Sequence, residues 1–170
     1  LMPSRPVATY SIVAMDEATG ELGVAVQSHW FSVGLLVPWA KAGVGAVATQ
    51  SFVKVDYGPE GLRLMESGMT ADEALKILIS QDEGEAVRQV GMIDINGNVT
   101  AHTGERCIMH AGHITGDNYS VQANMMAKGT VPKAMASAFE NSKGDLADRM
   151  MAVLEAAEAE GGDIRGKQSA

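Results

Sequence analysis

The sequence predicts an α+β protein built as a four-layer αββα sandwich, in which two antiparallel sheets lie between two layers of helices. Two observations support this prediction. Short segments rich in Val, Ile and Ala occur in two blocks, and a pair of segments with helical periodicity follows each block. Paired helices after a block of strands favour α+β layering over alternating βαβ units. At 170 residues, the chain is expected to form a single domain over 1–170.

The first block contains three predicted strands, at 9–16, 21–27 and 43–51. Small residues placed between branched ones are typical of strands that are covered on both faces. A tight turn at 17–20 joins the first two strands. The link at 29–40 contains Pro38, which cannot donate a ladder hydrogen bond, so we expect an irregular turn and an edge strand there.

The first pair of helices is predicted between residues 59 and 80. Its first helix begins at Pro59 and stops before Gly68, because glycine commonly ends a helix. Thr70 and Glu73 have the spacing of a capping box, in which each side chain bonds the other residue's backbone N–H. This pattern predicts the start of the second helix.

The second block is predicted to contain strands at 87–94, 98–103 and 119–125, followed by helices at 132–141 and 145–160. Asn96-Gly97 predicts a hairpin between the first two of these strands, since both residues tolerate positive φ. Asp145 is the expected N-cap of the last helix. The Gly- and His-rich segment 107–117 is predicted to be a loop.

Composition excludes several classes of function. The net charge of −8 and the lack of a basic patch argue against nucleic-acid binding. No apolar run is long enough to cross a membrane, and no phosphate-binding glycine loop is present. The single cysteine permits no intrachain disulfide, which is compatible with a cytoplasmic location. Residues 1–8 are expected to be a lead-in, and the chain is expected to continue beyond residue 170.

Eight blocks of sequence carry a resemblance to a known family: Thr9–Ala14, Gly23–Ser28, Val37–Gln50, Tyr57–Leu62, Arg88–Gly91, Ala111–Gly116, Val121–Asn124 and Gly161–Ser169. Together they resemble the domain-of-unknown-function 1028 family over nearly the whole chain from Thr9 onward. The resemblance implies the N-terminal-nucleophile (Ntn) hydrolase fold. The resemblance is stronger support for this fold than for any particular reaction.

Enzymes with this fold use an N-terminal Thr, Ser or Cys, whose side chain attacks an amide carbonyl while its own α-amine acts as the base. Thr9 is the candidate nucleophile, and Lys41, at position 33 counted from Thr9, is the candidate residue that tunes it by like-charge proximity. Eight residues precede Thr9, so its α-amine must first be freed by cleavage after Ala8. The alternative is that Thr9 is only a β-branched strand residue.

Other polar residues at strand ends are candidates for the same site. Gln50 is assigned to catalysis, because backbone and side-chain donors at a strand end stabilise an oxyanion. Ser28 is also assigned to catalysis: it points away from its neighbour His29 and so forms no dyad with it, but it is expected to line the cleft. The candidates for substrate binding are Thr49, Ser51, His113, Gln122 and Asn124. The alternative for Thr49, Gln50 and Ser51 is that they satisfy polar groups at a strand-to-helix junction.

Cys107, His110 and His113, followed by Asp117, are metal-ligating residue types at close spacing. Their spacing matches no established zinc motif, and histidines in glycine-rich loops are more often hydrogen-bonded locally. We therefore predict no metal and no cofactor. Asp163, Arg165 and Gln168 form either a binding cluster or an internal ion pair.

Two classes of function remain. The first is an amidohydrolase that cleaves an amide or peptide bond in a small substrate, and the second is a non-catalytic ligand-binding or assembly module of the same fold. We expect a homo-oligomer, such as a dimer, because one short link crowds five large apolar residues: Trp30, Phe31, Leu35, Leu36 and Trp39. The alternatives are that these side chains are buried within the monomer or wall the substrate cleft.

Overall fold

The computed structural model describes residues 8–170, so all but the last residue of the expected lead-in at 1–8 lies outside the described residues. The strands are β1 Thr9–Met15, β2 Leu22–Ser28, β3 Pro38–Lys41, β4 Gly45–Ser51, β5 Arg88–Asp94, β6 Val99–Thr103, β7 Gly112–Gly116 and β8 Tyr119–Asn124. The helices are α1 Tyr57–Glu66, α2 Ala71–Ser80, α3 Val131–Asn141 and α4 Leu146–Glu160. Short 3-10 turns lie at Val33–Leu35 and Glu85–Val87.

The strands form two antiparallel four-stranded sheets. Sheet I has the order β2-β1-β8-β7, and sheet II has the order β3-β4-β5-β6. The predicted α+β class and the two antiparallel sheets are therefore confirmed. None of the helices among residues 8–170 is long and apolar enough to cross a membrane.

Alternation along each strand divides the buried side chains between three core regions. On β1, Tyr10 and Ile12 pack with residues of α3 and α4, whereas Val13 packs with residues of sheet II. On β4, Val47 packs with α1 and α2, whereas Ala48 faces sheet I. The two sheets thus face each other, and each carries its own pair of helices on its other side.

The predicted helix starts are confirmed where a side chain caps the backbone. Thr70 and Glu73 form a complete capping box at the start of α2, and Asp145 accepts a hydrogen bond from the Asp148 N–H at the start of α4. By contrast, α1 begins at Tyr57 and not at Pro59. Proline is tolerated inside the first turn because its missing N–H would have no intrahelical partner there.

The prediction that 107–117 is entirely a loop is wrong. Gly112–Gly116 forms β7, the edge strand of sheet I, which pairs with β8 across a turn at Asp117 and Asn118. This segment begins and ends with glycine and contains only two β-branched residues, Ile114 and Thr115, so its strand propensity is too low to predict a strand. In the link at 29–40, the structure has the expected irregular turn followed by β3, which is the edge strand of sheet II.

Gly91 allows the two sheets to approach each other at the centre of the sandwich. A Cβ at this position would lie 2.2 Å from Oε1 of Gln122 on the opposite sheet. We expect Gly91→Ala to lower the free energy of unfolding by about 1–3 kcal/mol, because the added methyl group overpacks a filled core. Urea denaturation followed by circular dichroism measures this change.

Gly34→Ala is the matched control, since a Cβ at Gly34 meets no atom within 4 Å and Gly34 has no positive φ. This variant should be as stable as the parent or slightly more stable. Equal stability of Gly91→Ala and the parent would contradict the close approach at Gly91.

Candidate functional site

Polar side chains are buried between the sheets toward the end of the sandwich at which β1 begins and β2, β4 and β8 end. We call this group the inter-sheet polar cluster. Its members lie on strands from both sheets, and all are fully buried: Thr9, Ser11, Ser28, Gln50, Gln89, Ser120, Gln122 and Asn124. Buried polar groups destabilise a fold unless they are hydrogen-bonded, so the partners within the cluster matter for stability as well as for chemistry.

Gln50 links sheet II to sheet I. Its Oε1 accepts a hydrogen bond of 2.6 Å from the Ser11 hydroxyl, and its Nε2 donates to Oε1 of Gln89 at 2.8 Å. The same Nε2 lies 3.4 Å and 3.3 Å from the backbone carbonyl oxygens of Thr9 and Gln122. One amide therefore holds the start of β1 and the end of β8 against β4.

Both polar side-chain atoms of Gln122 are hydrogen-bonded within the inter-sheet polar cluster. Its Nε2 donates to the Ser11 hydroxyl at 2.7 Å, and its Oε1 accepts from the Ser120 hydroxyl at 2.8 Å. In this arrangement Gln122 is a structural member of the cluster. Its predicted role in substrate binding stays a prediction.

Ser28 lies between the Thr9 side chain and the peptide bond that precedes Thr9. The Thr9 hydroxyl donates to Oγ of Ser28 at 3.2 Å, and the Ser28 hydroxyl donates to the carbonyl oxygen of Ala8 at 2.5 Å. Thr9 and Ser28 are register partners on β1 and β2, so they share the face that looks toward sheet II. The structure therefore brings together three of the four residues predicted to be catalytic, namely Thr9, Ser28 and Gln50.

Lys41 is not brought to Thr9. Its backbone pairs with Gly45 at the start of β4, whereas Gln50, which contacts the Thr9 backbone, lies about 17 Å further along that strand. The Lys41 ammonium forms an exposed ion pair of 2.6 Å with Glu66 of α1, on the side of sheet II that faces away from sheet I. The number of residues between Thr9 and Lys41 suggested that they are close. That number does not show at which end of the β3–β4 hairpin Lys41 lies.

The remaining predicted binding residues lie in different surroundings. Thr49 points toward the helices and donates to the Lys54 carbonyl oxygen at 3.2 Å. Ser51 is fully buried in a left-handed conformation (φ 71°), and its side chain lies beside the Cys107 thiol. His113, on the edge strand β7, contacts the Thr103 hydroxyl through Nδ1 at 2.8 Å.

Cys107 and His113 of the candidate metal motif have different hydrogen-bond partners. The Cys107 thiol donates to the Arg88 carbonyl oxygen at 3.2 Å, and burial raises the pKa of this thiol. His113 is held by Thr103. Within residues 8–170, no group of three His, Cys, Asp or Glu side chains is arranged to hold a metal ion.

The C-terminal segment 161–170 fastens the end of β2. Ser28 donates its N–H to the Ser169 carbonyl oxygen and accepts from the Ser169 N–H, both within 3.0 Å. Asp163 forms an ion pair of 3.1 Å with Arg165 and accepts from the His29 N–H at 3.3 Å. Of the two interpretations of Asp163 and Arg165, the structure therefore has the internal ion pair.

Sequence reasoning missed Gln89, Ser11 and Ser120. Gln89 Nε2 donates to the Thr103 hydroxyl and to the carbonyl oxygens of Gly112 and Ala123, at 2.9–3.1 Å. A signal was available, because a polar residue at an inward position of an apolar strand is unusual. It was overlooked because alternation alone does not tell a core face from a solvent face.

A buried ion pair supports the turn that follows β4. Arg88 lies opposite Ser51 in the register of β4 and β5, and it donates through Nε to Asp82 at 2.8 Å and through Nη1 to the Phe52 carbonyl oxygen. Burial alone would raise the pKa of Asp82, but hydrogen bonds from Arg88 and Gly84 hold it at about 2. Arg88 thus fixes the backbone at the strained Ser51 and at the residue that follows it.

Comparison with known proteins gives a family. The family model described as "Family of unknown function (DUF1028)" matches residues 9–170. The chain belongs to the DUF1028 family. The crystal structure of protein SPO2555 from Silicibacter pomeroyi, a DUF1028 protein, superposes with a TM-score of 0.86 at 32% identity, covering 91% of this chain and 69% of that one. No curated protein matches the chain.

In this DUF1028 chain, stability is expected to depend on the charge of Asp82. The pKa of Asp82 in the folded chain, about 2, lies below its ordinary value of 3.8, so the stabilisation is complete above about pH 4 and is lost as the pH falls toward 2. This group should contribute about 2 kcal/mol to the decrease in unfolding free energy. Urea denaturation at pH 2, 3, 4 and 7 measures the decrease.

Asp82→Asn should be less stable than the parent at pH 7 and should lose less stability on acidification. Asp72→Asn is the control, because Asp72 pairs with Lys76 on the exposed surface of α2 and such pairs contribute little. If Asp82→Asn and Asp72→Asn had the same pH profile, the buried ion pair would not have the stabilising role described here.

Proposed function

We propose that the protein is an Ntn-type amidohydrolase with the four-layer αββα arrangement, and that Thr9 is the nucleophile that cleaves an amide or peptide bond in a small substrate. The observation that carries this proposal is the position of the Ser28 hydroxyl between the Thr9 hydroxyl and the Ala8 carbonyl oxygen. Ser28 therefore makes both contacts that attack by Thr9 on the Ala8 carbonyl requires, one with the attacking hydroxyl and one with the carbonyl oxygen. The family match, which begins at Thr9, supports the same starting point.

The first step is release of the segment before Thr9. Thr9 Oγ1 attacks the Ala8 carbonyl carbon, the proton of Thr9 passes to Ser28, and the proton of Ser28 passes to the Ala8 oxygen. Collapse of this adduct breaks the Ala8–Thr9 C–N bond, returns a proton to the nitrogen and leaves an ester between Ala8 and the Thr9 oxygen. Water then hydrolyses the ester, which yields the Ala8 carboxylate and a free α-amine on Thr9.

The second step uses the same groups on a substrate. The free α-amine has an ordinary pKa near 8, so a useful fraction is neutral and accepts the proton of the Thr9 hydroxyl at neutral pH. Thr9 attacks the substrate carbonyl, the amine product leaves with a proton, and water hydrolyses the acyl-enzyme. The Ser28 hydroxyl, no longer held by Ala8, donates to the substrate oxygen as negative charge develops.

Gln50 positions the nucleophile in this proposal. Its Nε2 contacts the Thr9 carbonyl oxygen and its Oε1 holds Ser11, so it fixes the start of β1 from the opposite sheet. Lys41 has no part in the mechanism, because its ammonium is paired with Glu66. Ser51 is the best placed of the remaining binding candidates, since it is fully buried at the end of β4, one residue after Gln50.

The chain should convert to a form that begins at Thr9. Thr9→Ala should abolish this conversion because the attacking oxygen is removed, and Ser28→Ala should slow it about 100-fold or more, as loss of an oxyanion donor does. Intact-mass spectrometry and N-terminal sequencing of the purified full chain, sampled during incubation, measure the conversion.

Two variants serve as controls for this experiment. Thr9→Ser keeps a hydroxyl and should still convert, whereas Ser120→Ala removes a buried hydroxyl of the same cluster that does not contact Thr9 or Ala8 in the described hydrogen bonds. If the parent chain never loses the segment, or if Thr9→Ala loses it equally well, the nucleophile role is refuted. The non-catalytic binding module is then the better description.

We also propose that the protein forms a homodimer and is located in the cytoplasm, without nucleic-acid or membrane partners. The support for a dimer is the exposure of Phe31 and Leu35, whose side chains are 79% and 77% accessible, next to the partly buried Trp30. Large exposed apolar side chains in one short loop are typical of interfaces.

Phe31→Asp should convert the dimer to a monomer, because an unpaired charge at a buried interface is unfavourable. Light scattering at micromolar concentration measures the mass, and Met151→Asp, an exposed apolar residue on α4, is the control. A parent chain with a mass near 17.8 kDa would refute the dimer.

A further inference from the structure

The orientation of the Asn124 side chain follows from its neighbours. Gln89 faces two backbone carbonyl oxygens, those of Gly112 and Ala123, and a carbonyl accepts hydrogen bonds but cannot donate them. The Gln89 amide must therefore direct its Nε2 toward them and its Oε1 toward the other side. That Oε1 accepts from Gln50 at 2.8 Å and from Nδ2 of Asn124 at 3.0 Å.

Asn124 consequently has to present its NH₂ group to Gln89, which leaves its Oδ1 directed elsewhere. This Oδ1 is buried and has no donor among the residues that the structure describes, and Asn124 itself is 0% exposed. A buried acceptor without a donor is destabilising, and such atoms in a natural protein commonly indicate a missing ligand or a functional role.

The backbone register shows which residue of the neighbouring strand lies beside Asn124. Asn124 is directly opposite Thr9 in the pairing of β8 with β1, and both side chains lie on the face that looks toward sheet II. In the intact chain, the Thr9 nitrogen is an amide with one hydrogen. Cleavage before Thr9 converts it into an ammonium group with three hydrogens, so two new donors arise beside Asn124.

We propose that Oδ1 of Asn124 is the receptor for the α-ammonium group of Thr9 in the cleaved protein, an inference that rests on the proposed function. A hydrogen bond from the ammonium to Oδ1 stabilises the charged form and raises the pKa of the α-amine. In the neutral amine, the same hydrogen bond fixes the position of the nitrogen beside the Thr9 hydroxyl. Asn124 is thus a positioning residue that prepares the base.

The charged groups of the surrounding elements have partners of their own. Arg88 pairs with Asp82 at the start of β5, and Asp163 pairs with Arg165 beside the end of β2. The titratable His113 is hydrogen-bonded to Thr103, and the Cys107 thiol donates to a backbone carbonyl oxygen. The environment of Asn124 is therefore built mainly from neutral amides and hydroxyls. In such an environment a single carbonyl acceptor has a measurable effect on the pKa of the Thr9 α-amine.

The test uses a full chain in which residues 1–8 are replaced by a protease recognition sequence that leaves Thr9 as the first residue. The chain folds before it is cut, so an α-amine forms whether or not the protein cleaves itself. With ¹³C-labelled threonine, the Cα chemical shift of Thr9 reports the titration of its α-amine by NMR.

Asn124→Leu removes the acceptor at similar size, and we expect the acid dissociation constant of the α-ammonium to increase about tenfold. Asn124→Asp places a carboxylate there and should decrease the constant by at least as much, which gives a second test in the opposite direction if the Leu variant does not fold. Ser120→Ala, on the same face of β8, should leave the constant unchanged.

Equal dissociation constants in the parent, Asn124→Leu and Asn124→Asp would overturn the proposal. This outcome differs from a failure of the proposed function, which is read from the mass of the natural chain. A chain that cleaves itself but has an unchanged α-amine would reject only the role of Asn124. A chain that never cleaves itself but shows the expected shifts would reject only the catalytic function.

Discussion

The two sheets of this protein meet across a set of carboxamide side chains that satisfy one another's hydrogen bonds. Gln50 is the central member, because it contacts backbone or side-chain atoms of β1, β5 and β8 from its place on β4. A carboxamide carries both donors and acceptors on one rigid group, so each orientation fixes that of its neighbour. Much of the surrounding structure follows from this constraint.

Close approach of the sheets is one consequence. Gln122 lies against Gly91 on the opposite sheet, where any Cβ would occupy the place of its amide oxygen. A second consequence is that the strand ends near Thr9 need support from outside the sheets. Arg88 supports the end of β4, and Ser169 supports the end of β2 through a pair of backbone hydrogen bonds. Residues remote in sequence thus hold the groups around Thr9 in place.

The chemistry proposed for this site uses neutral groups and not a cationic side chain. Thr9, Ser28 and the Ala8 carbonyl oxygen form a continuous hydrogen-bonded chain inside a buried region. In such surroundings a hydrogen bond is electrostatically stronger than in water. An acceptor such as Oδ1 of Asn124, which has no donor among residues 8–170, is correspondingly unfavourable. The proposed release of the segment before Thr9 supplies the donors that this acceptor lacks.

Local pattern determined the elements that have local causes. The capping box at Thr70, the N-cap at Asp145 and the runs rich in Val, Ile and Ala in β1 and β4 predicted helix starts and strands correctly, because each signal lies within the element that it predicts. The predicted bounds of the strands placed Thr9, Ser28, Gln50 and Asn124 at or next to strand ends. Local pattern could not reveal β7, whose identity as a strand depends on pairing with β8.

Only the tertiary structure decided which strand ends meet. Lys41 and Gln50 are both near β4 in sequence, but antiparallel pairing sends them to opposite ends of that strand. Likewise, Gln89 is accommodated on the inward face of β5 because Asn124 and the carbonyl oxygens of Gly112 and Ala123 on the opposite sheet satisfy its amide, which no single strand specifies. Sequence by itself determined the α+β elements and the candidate nucleophile, whereas hydrogen bonding between the sheets determined the surroundings of Thr9, because those contacts join residues more than 30 positions apart.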